Sequence, residues 1–481
     1  MWPTPPVNRL HPPSPKIIRR LTEIVGPANA LTDPALQVAY LKEWRDLYTG
    51  KSPLVLRPGT TDEVSRILEV ANEAGIGVVP QAGNTGLVGG QIPSEAGGEI
   101  VVSVERLKHI RSIDAAGTSM IVEAGLTLSE AQAAADARGR LFPLSMASEG
   151  SCRIGGNLAT NAGGVAVLAY GNTRALTLGL EVVLPDGRVW DNLKTLEKDN
   201  TGYDLRDLFI GSEGTLGIIT AAALRLFPKP REKETALAAL PSLAAALDLL
   251  HLAKEHAGLE LTAFEFMNQL SLDMVVRHVK DARLPFGKPH PWYALLEISS
   301  LSDDGHAARV LERLLAEATE KRLVSDGTIA GSLSQARDLW RLRESISEAQ
   351  KPEGGSIKHD VSVPVPAIPE FIRRADVTVQ KICPGARPVP FGHLGDGNVH
   401  YNVSQPLTME KPRFLALWEP MSRAVHDVVS DLSGSISAEH GIGRLKRGEL
   451  ARLKSPVELD LMRRIKSSLD PNGIMNPGKV L

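Results

Sequence analysis

Residues 391–402, FGHLGDGNVHYN, place two histidines seven apart around a glycine-rich centre. In an uninterrupted strand an odd separation throws two side chains onto opposite faces. Asp396-Gly397 is a two-residue type I′ hairpin signal, however, and if it forms the loop, His393 comes directly opposite His400. Directly opposed side chains share a face, with Cβ atoms about 5 Å apart. That is a chelating distance, and Asn402 projects from the face that carries His400. Such a pair offers metal ligation if the chain brings up a third donor; the alternative is a pair of hydrogen-bonded core histidines.

The elements that must position this pair are set by composition and pattern. At 481 residues the chain exceeds one core, and about 150 residues per domain suggests two or three. With 54 basic and 56 acidic residues the net charge is -2, which gives no electrostatic footprint for nucleic acid or an anionic membrane. Cys152 and Cys383 are the only cysteines, which argues against a disulfide framework and fits a reducing compartment. The apolar stretch ALAALPSLAAALDLL is too short to span a bilayer and reads as an amphipathic helix. The N-terminus, MWPTPPVNRLHPPSP, has no signal-peptide core, so the expected location is cytoplasmic.

After proline-rich residues and helices over the first 50 positions, residues 54–86 read as a βαβ unit. A short apolar strand precedes a helix opened by Thr60-x-x-Glu63 and closed by Gly75, and the strand IGVV follows. Strands are expected near 99–104 and 119–124, with a second helix after Thr127-x-x-Glu130. Strands near 177–184 and 188–191 join through a PDG turn. This α+β domain runs to about Pro228, beyond which longer helical segments and polar strands mark another. Two glycine-dense loops, PQAGNTGLVGGQIP and SEGSCRIGGNLATNAGG, can present successive N–H groups as a concave nest for an anion such as a diphosphate. Each can equally be a tight turn. Neither matches G-x-G-x-x-G or the G-x-x-x-x-G-K-[ST] phosphate loop.

LRPGTTDEV, PQAGNTGLVGG, IGGNLATNAGG and NTGYDLRDLFIGSEGTLGIIT, in this order, resemble the FAD-binding domain of the vanillyl-alcohol oxidase superfamily. FGHLGDGNVHYN and SAEHGIG narrow the resemblance to its D-2-hydroxyacid dehydrogenase branch, which includes D-2-hydroxyglutarate and D-lactate dehydrogenases. The resemblance implies an α+β fold: a two-subdomain FAD-binding domain of p-cresol methylhydroxylase (PCMH) type, an α+β substrate or cap domain, and a C-terminal segment returning to the flavin. The implied boundaries are 1–50 for the N-terminal helices, 51–228 for the FAD-binding domain, 229–450 for the cap with the metal site, and 451–481 for the returning segment. The implied FAD contacts are Pro80, Gly83, Asn84, Thr85, Gly86, Gly89, Gly90 and Gln91 in the first loop. They continue through Ser148, Gly150, Ser151, Ile154, Gly155, Gly156, Asn157, Thr160, Asn161, Gly163 and Gly164 in the second. Glu213, Gly217, Ile218, Ile219 and the terminal Asn476 complete them. Relatives that bind FAD covalently use a histidine facing the flavin. No histidine occurs in either glycine loop, so non-covalent FAD is expected.

In SISAEHGIGRLKRGEL a Glu439-His440 pair precedes Gly441 and Gly443, where a flexible backbone can present both side chains. Two imidazoles and a carboxylate suit Zn²⁺, Mn²⁺ or Fe²⁺ with positions left open for substrate. The resemblance implies the same set, His393, His400 and Glu439, with His440 beside it as base. Zinc is the leading expectation and manganese the alternative. Oxidising a 2-hydroxyacid removes the hydroxyl proton and moves a hydride from C2 to the flavin, and an imidazole titrating near neutrality can take the proton. The substrate's charge calls for cations. In WRLRESISEAQKPEGGSIKHDVSVPV, Arg343 and Ser347 are i, i+4 on a helix and Lys358 lies on the following strand. A solvated helix face and a wet strand face are the alternative reading. The resemblance makes Arg343, Ser347, Lys358, Asn402 and His440 the substrate contacts, with His440 and Arg343 catalytic; Ser347 departs from the threonine usual in the branch.

D-2-hydroxyglutarate is therefore the leading substrate, with D-lactate and D-malate as alternatives. A dicarboxylate engages both Arg343 and Lys358, whereas lactate leaves one cation idle. Rival readings are a non-catalytic FAD-binding subunit of a glycolate-oxidase-type complex and a flavin-free metal-dependent hydrolase. The implied electron acceptor is an electron-transfer flavoprotein or a quinone, and the implied assembly is a homodimer.

Overall fold

Two helix starts in the first part of the chain follow side-chain caps already visible in the sequence. The structure is a computed structural model that describes residues 10–481; the first nine residues of the proline-rich start lie outside the described residues. Thr60 accepts from the Glu63 N–H to open Thr61–Ala74, and Gly75, at φ 62°, closes it. The Glu63 carboxylate reaches Gly59 N rather than Thr60 N. At Thr127 the reciprocal capping box is complete, and Leu128–Asp136 follows.

Two compact units result. Residues 10–162, 172–228 and 440–481 form one; Gly163–Gly171 and Lys229–Glu439 form the other. The first unit holds a four-stranded sheet in which Val55–Leu56 and Val78–Gln81 both run parallel to Ile100–Ser103, the expected βαβ arrangement. It also holds an antiparallel five-stranded sheet ordered 110–114, 119–123, 218–225, 177–183, 189–192. The PDG hairpin pairs Thr177–Val183 with Val189–Asn192 as its turn signal predicts. Val64, Ile67, Leu68 and Ala71 of the capped helix pack with Leu21, Val78, Ile100 and Val183, and with Ile474 and Met475 from the chain's end. Cys152 and Cys383 are both buried and unpaired with each other.

The second unit is built on an antiparallel seven-stranded sheet ordered 326–329, 232–240, 292–300, 261–268, 387–393, 398–404, 356–362. ALAALPSLAAALDLL departs from the single helix expected of it. Its first part belongs to the strand Glu232–Leu240, and only after Ser242, which accepts from Ala245 N, does Leu243–Ala257 become helical. Alanine and leucine favour helix on their own, so pairing with Trp292–Ser300 overrides local preference in the first half. Among the described residues no helix is long and apolar enough to cross a membrane.

Opposed residues share a face, so the pairings of this sheet define one surface across it. Leu237, Leu295, Glu265, His393 and Asn398 lie along one row. Ala239, Tyr293, Met267, Phe391, His400 and Asp360 lie along the next. Val389, Asn402 and Lys358 follow. The surface is thus apolar on the side of Leu237 and polar on the side of Asp360. Helices Gln269–His278, Leu333–Glu344 and Ile346–Ala349 cover its apolar part through Leu272, Val275, Leu339, Leu342 and Ile346.

Candidate functional site

His393 and His400 do share a face, but not as a directly opposed pair. The register pairs His393 with Asn398 and His400 with Phe391, so the connection is the four residues Leu394–Gly397 rather than Asp396-Gly397 alone. Leu394 is the reason: its N–H donates to Phe264 O on the neighbouring strand at 3.0 Å and its side chain is buried, which commits it away from a hairpin pairing with Val399. Asp396 Oδ1 instead accepts from Asn398 N at 3.1 Å, and Gly397 takes φ 89°. The histidines are diagonal neighbours with ring centroids 5.4 Å apart and planes 77° apart. Diagonal pairs on one sheet face lie within reach of such side chains.

Glu439 supplies the third donor. Just before it, Ser435 bridges to Ser362 at the sheet edge, and the Glu439 N–H donates to Asp360 Oδ2 at 2.9 Å. Its Oε1 lies 3.9 Å from His393 Nε2. Ligand atoms of His393, His400 and Glu439 all fall within 4.8 Å of one another. Gly163 makes room for this carboxylate, because a Cβ there would stand 2.8 Å from Glu439 Oε1. Gly395 likewise admits the Leu168 side chain, which would be 2.7 Å from a Cβ. The segment Gly163–Gly171 therefore backs the histidine turn.

Two carboxylates orient the rings, and neither was singled out by the sequence. Glu265 Oε1 meets His393 Nδ1 at 2.6 Å, leaving Nε2 for the centre. Asp360 Oδ1 faces His400 Nδ1 at 3.5 Å. Metal-bound histidines commonly use their second nitrogen this way. Burial alone would lower His393, yet Glu265 pushes it up to about 9. Burial raises Glu439 to about 7, against the pull of His393 and with that of Asp360, Asp396 and Glu265. Asp396 is also pushed up, chiefly by burial. This cluster is short of positive charge. A divalent cation fits its donor set, since zinc takes imidazole nitrogen and carboxylate oxygen at about 2.0–2.2 Å, and side-chain rotation on the order of 1 Å draws the three donors together around it.

The cations are placed unevenly. Arg343 and Ser347 do not sit on one continuous helix: Leu333–Glu344 ends at Ser345, and Ile346–Ala349 starts beyond it. Arg343 is buried and Ser347 exposed. The Arg343 guanidinium donates from Nε to Glu265 Oε2 at 2.7 Å and lies 4.9 Å above the Phe391 ring. Lys358 pairs across the sheet with Asn402, and its Nζ lies 3.5 Å from Ser347 O. Asn402 shares the face of His400 as expected, and its amide donates to Gln350 Oε1 at 2.8 Å.

In the first unit the two glycine loops meet. A Cβ at Gly83 would fall 2.2 Å from Ser151 O, and one at Gly156 3.1 Å from Ala82 Cβ. Gly89, at φ 70°, lies under the Tyr48 ring. Asn84 ties the first loop to Ala39 O and Lys42 O at the end of helix Pro34–Leu41, and Gln91 braces it from within through Gly86 O. Ser148 O accepts from Ser151 N and Cys152 N in the second loop. Thr160 and Asn161 bond to Gly156 O and Arg174 N. Glu213 accepts from Ile442 N and Gly443 N at 2.7 and 2.8 Å, which anchors the stretch after His440. The C-terminal strand-like run hydrogen-bonds Val78 through Ile474 O and Asn476 N. Asn476 then donates its amide to Gly90 O and Glu213 O, while its buried Oδ1 has no partner. A leftover acceptor where both segments converge on the glycine loop suits a flavin ring, which carries an N–H donor.

Known proteins agree with this reading of the fold. Residues 52–192 match the FAD binding domain family, and residues 229–480 match the family of FAD linked oxidases, C-terminal domain. Among solved structures, p-cresol methylhydroxylase with substrate bound superposes with a TM-score of 0.75 at 16% identity, covering 97% of this chain and 96% of that one. The 4-ethylphenol oxidase of Gulosibacter chungangensis gives 0.74 at 17% identity over 97% and 96%. These likenesses establish the PCMH-type flavoprotein fold. The mitochondrial D-2-hydroxyglutarate dehydrogenase of Arabidopsis thaliana is 41% identical over 97% of this chain and 81% of its own length. D-2-hydroxyglutarate dehydrogenase of Xanthomonas citri pv. viticola is 39% identical over 96% of both. The chain belongs to the FAD-linked oxidases, within the family of the D-2-hydroxyglutarate dehydrogenases.

Proposed function

We propose that this protein oxidises D-2-hydroxyglutarate to 2-oxoglutarate, with FAD held non-covalently and a divalent cation, zinc first and manganese second, on His393, His400 and Glu439. The observation that carries the reading is the polar side of one sheet face, where two imidazoles and a carboxylate share the surface with Asn402 and Lys358. Bound FAD supplies the acceptor for the hydride leaving C2, and the cation supplies a Lewis acid for the hydroxyl oxygen. The chain's own residues do the rest. His440, next in the chain to Glu439, takes the hydroxyl proton. Lys358 and Asn402 hold one carboxylate of the substrate. Arg343 uses Nε and Nη2 on Glu265, and its guanidinium fork, with five N–H donors in all, reads the other. Gly83, Gly90, Asn476 and the second glycine loop hold the cofactor. An electron-transfer flavoprotein or a quinone accepts the electrons, and the chain works as a homodimer.

A dye-linked screen across D- and L-2-hydroxyacids tests the reading, and its fastest substrate should be D-2-hydroxyglutarate. Preference for an L-acid would overturn it. D-Lactate or D-malate is the second reading, because serine at 347, where the branch usually has threonine, changes the volume beside Lys358.

Charge count separates D-2-hydroxyglutarate from D-lactate. Lys358→Ala removes a charge-assisted contact worth about 1.5–3 kcal/mol, so kcat/KM for D-2-hydroxyglutarate should fall about 10–150-fold. The loss on D-lactate should be smaller, and equal losses would show that Lys358 reads no second carboxylate. The cofactor link is tested by acid precipitation. With no histidine in either loop, and with the Cys152 thiol buried and pushed up by that burial, the yellow colour should pass to the supernatant. Colour in the pellet means a covalent flavin.

A further inference from the structure

Glu265 stands where the fold alone has no use for a carboxylate. It lies inside the central strand Leu261–Asn268, with a side chain that is 0% exposed, in a row shared with Leu295 and Leu237. Removing a carboxylate from water is costly, and an apolar residue would serve such a sheet better. Glu265 is paired twice instead. One oxygen meets His393 Nδ1 at 2.6 Å and the other accepts from Arg343 Nε at 2.7 Å. Arg343 arrives from the helix that covers this face and is stacked on Phe391, the residue opposite His400. One side chain thus fixes a ring of the candidate metal set and a cation of the candidate substrate set.

We propose that Glu265 is a positioning residue for both: it keeps His393 donating through Nδ1 with Nε2 turned toward Glu439, and it aims Arg343. The inference rests on the metal site proposed above. Its consequence is that affinity for the metal and affinity for the substrate fall together when one side chain that touches neither is changed.

The experiment compares holoenzyme of the wild type, Glu265→Gln and His393→Ala by equilibrium dialysis against Zn²⁺, with bound metal counted by mass spectrometry. Glu265→Gln should weaken the Zn²⁺ Kd about 10–100-fold with FAD content unchanged. Excess Zn²⁺ should then restore bleaching of the flavin by D-2-hydroxyglutarate, with KM still raised because Arg343 has lost its support. A merely structural role would not be rescued by metal. A Zn²⁺ Kd within twofold of wild type, or bleaching that excess Zn²⁺ does not restore, overturns the role of Glu265. Equally weak Zn²⁺ binding by wild type and His393→Ala overturns the metal site itself, and this inference with it. If Glu265→Gln does not fold, Glu265→Gln/Arg343→Met leaves no buried charge unpaired and carries the same Zn²⁺ comparison.

Discussion

Enzyme stripped of metal by a chelator should stay yellow and stop reacting. The candidate ligands His393, His400 and Glu439 all belong to one compact unit, whereas Gly83, Gly90, Glu213 and Asn476 belong to the other. Their functions should therefore separate. The chelated protein, and His400→Ala, should retain FAD with a nearly unchanged visible spectrum, while D-2-hydroxyglutarate no longer bleaches it. The loss should be close to complete, because a free hydroxyl is a poor acid at neutral pH and gains its stabilisation from the Lewis acid. Zn²⁺ or Mn²⁺ should restore bleaching to the chelated wild type and fail in His400→Ala. Full reduction of the flavin by substrate in verified metal-free enzyme would return the histidine pair to a structural role.

The parts of this molecule that could be read from the chain are the ones decided locally. Thr60, Gly75, Thr127 and the PDG turn act within a few residues of themselves, and each does in the structure what its chemistry dictates. The shared face of His393 and His400 was legible too, since Asp396-Gly397 had to reverse the chain. The register was not, because Leu394 is committed by Phe264 O, on a strand more than a hundred residues earlier. Glu265 was hidden for the same reason. It lies 128 residues from His393, in LELTAFEFMN, whose pattern says only strand. The break at Ser345, which separates Arg343 from Ser347, also lies outside simple helical spacing; SIS offers no glycine or proline to announce it. Asn476 shows a different case. Its place among the expected FAD contacts came from resemblance, and the structure adds the tail's pairing with Val78 and the amide's bonds to Gly90 O and Glu213 O.

Replacing His440 by Gln should slow the enzyme about 10²–10⁴-fold in kcat, the usual contribution of a positioned general base. Glutamine keeps a polar side chain of similar reach and cannot accept a full proton. The loss should fall on the chemical step alone. Zn²⁺ affinity should change little, because the proposed ligand is Glu439, held by Asp360 through its own N–H. FAD content should also hold, because Glu213 anchors Ile442 and Gly443 through their backbone N–H groups, which the substitution leaves in place. With the internal base gone, solvent hydroxide must take the hydroxyl proton. The rate of the variant should therefore climb with pH, about tenfold per unit, across the range where the wild type has levelled off. A variant that loses less than tenfold, or whose pH profile keeps the wild-type shape, would move the base to another residue. A variant that loses Zn²⁺ along with its activity would make His440 a ligand instead.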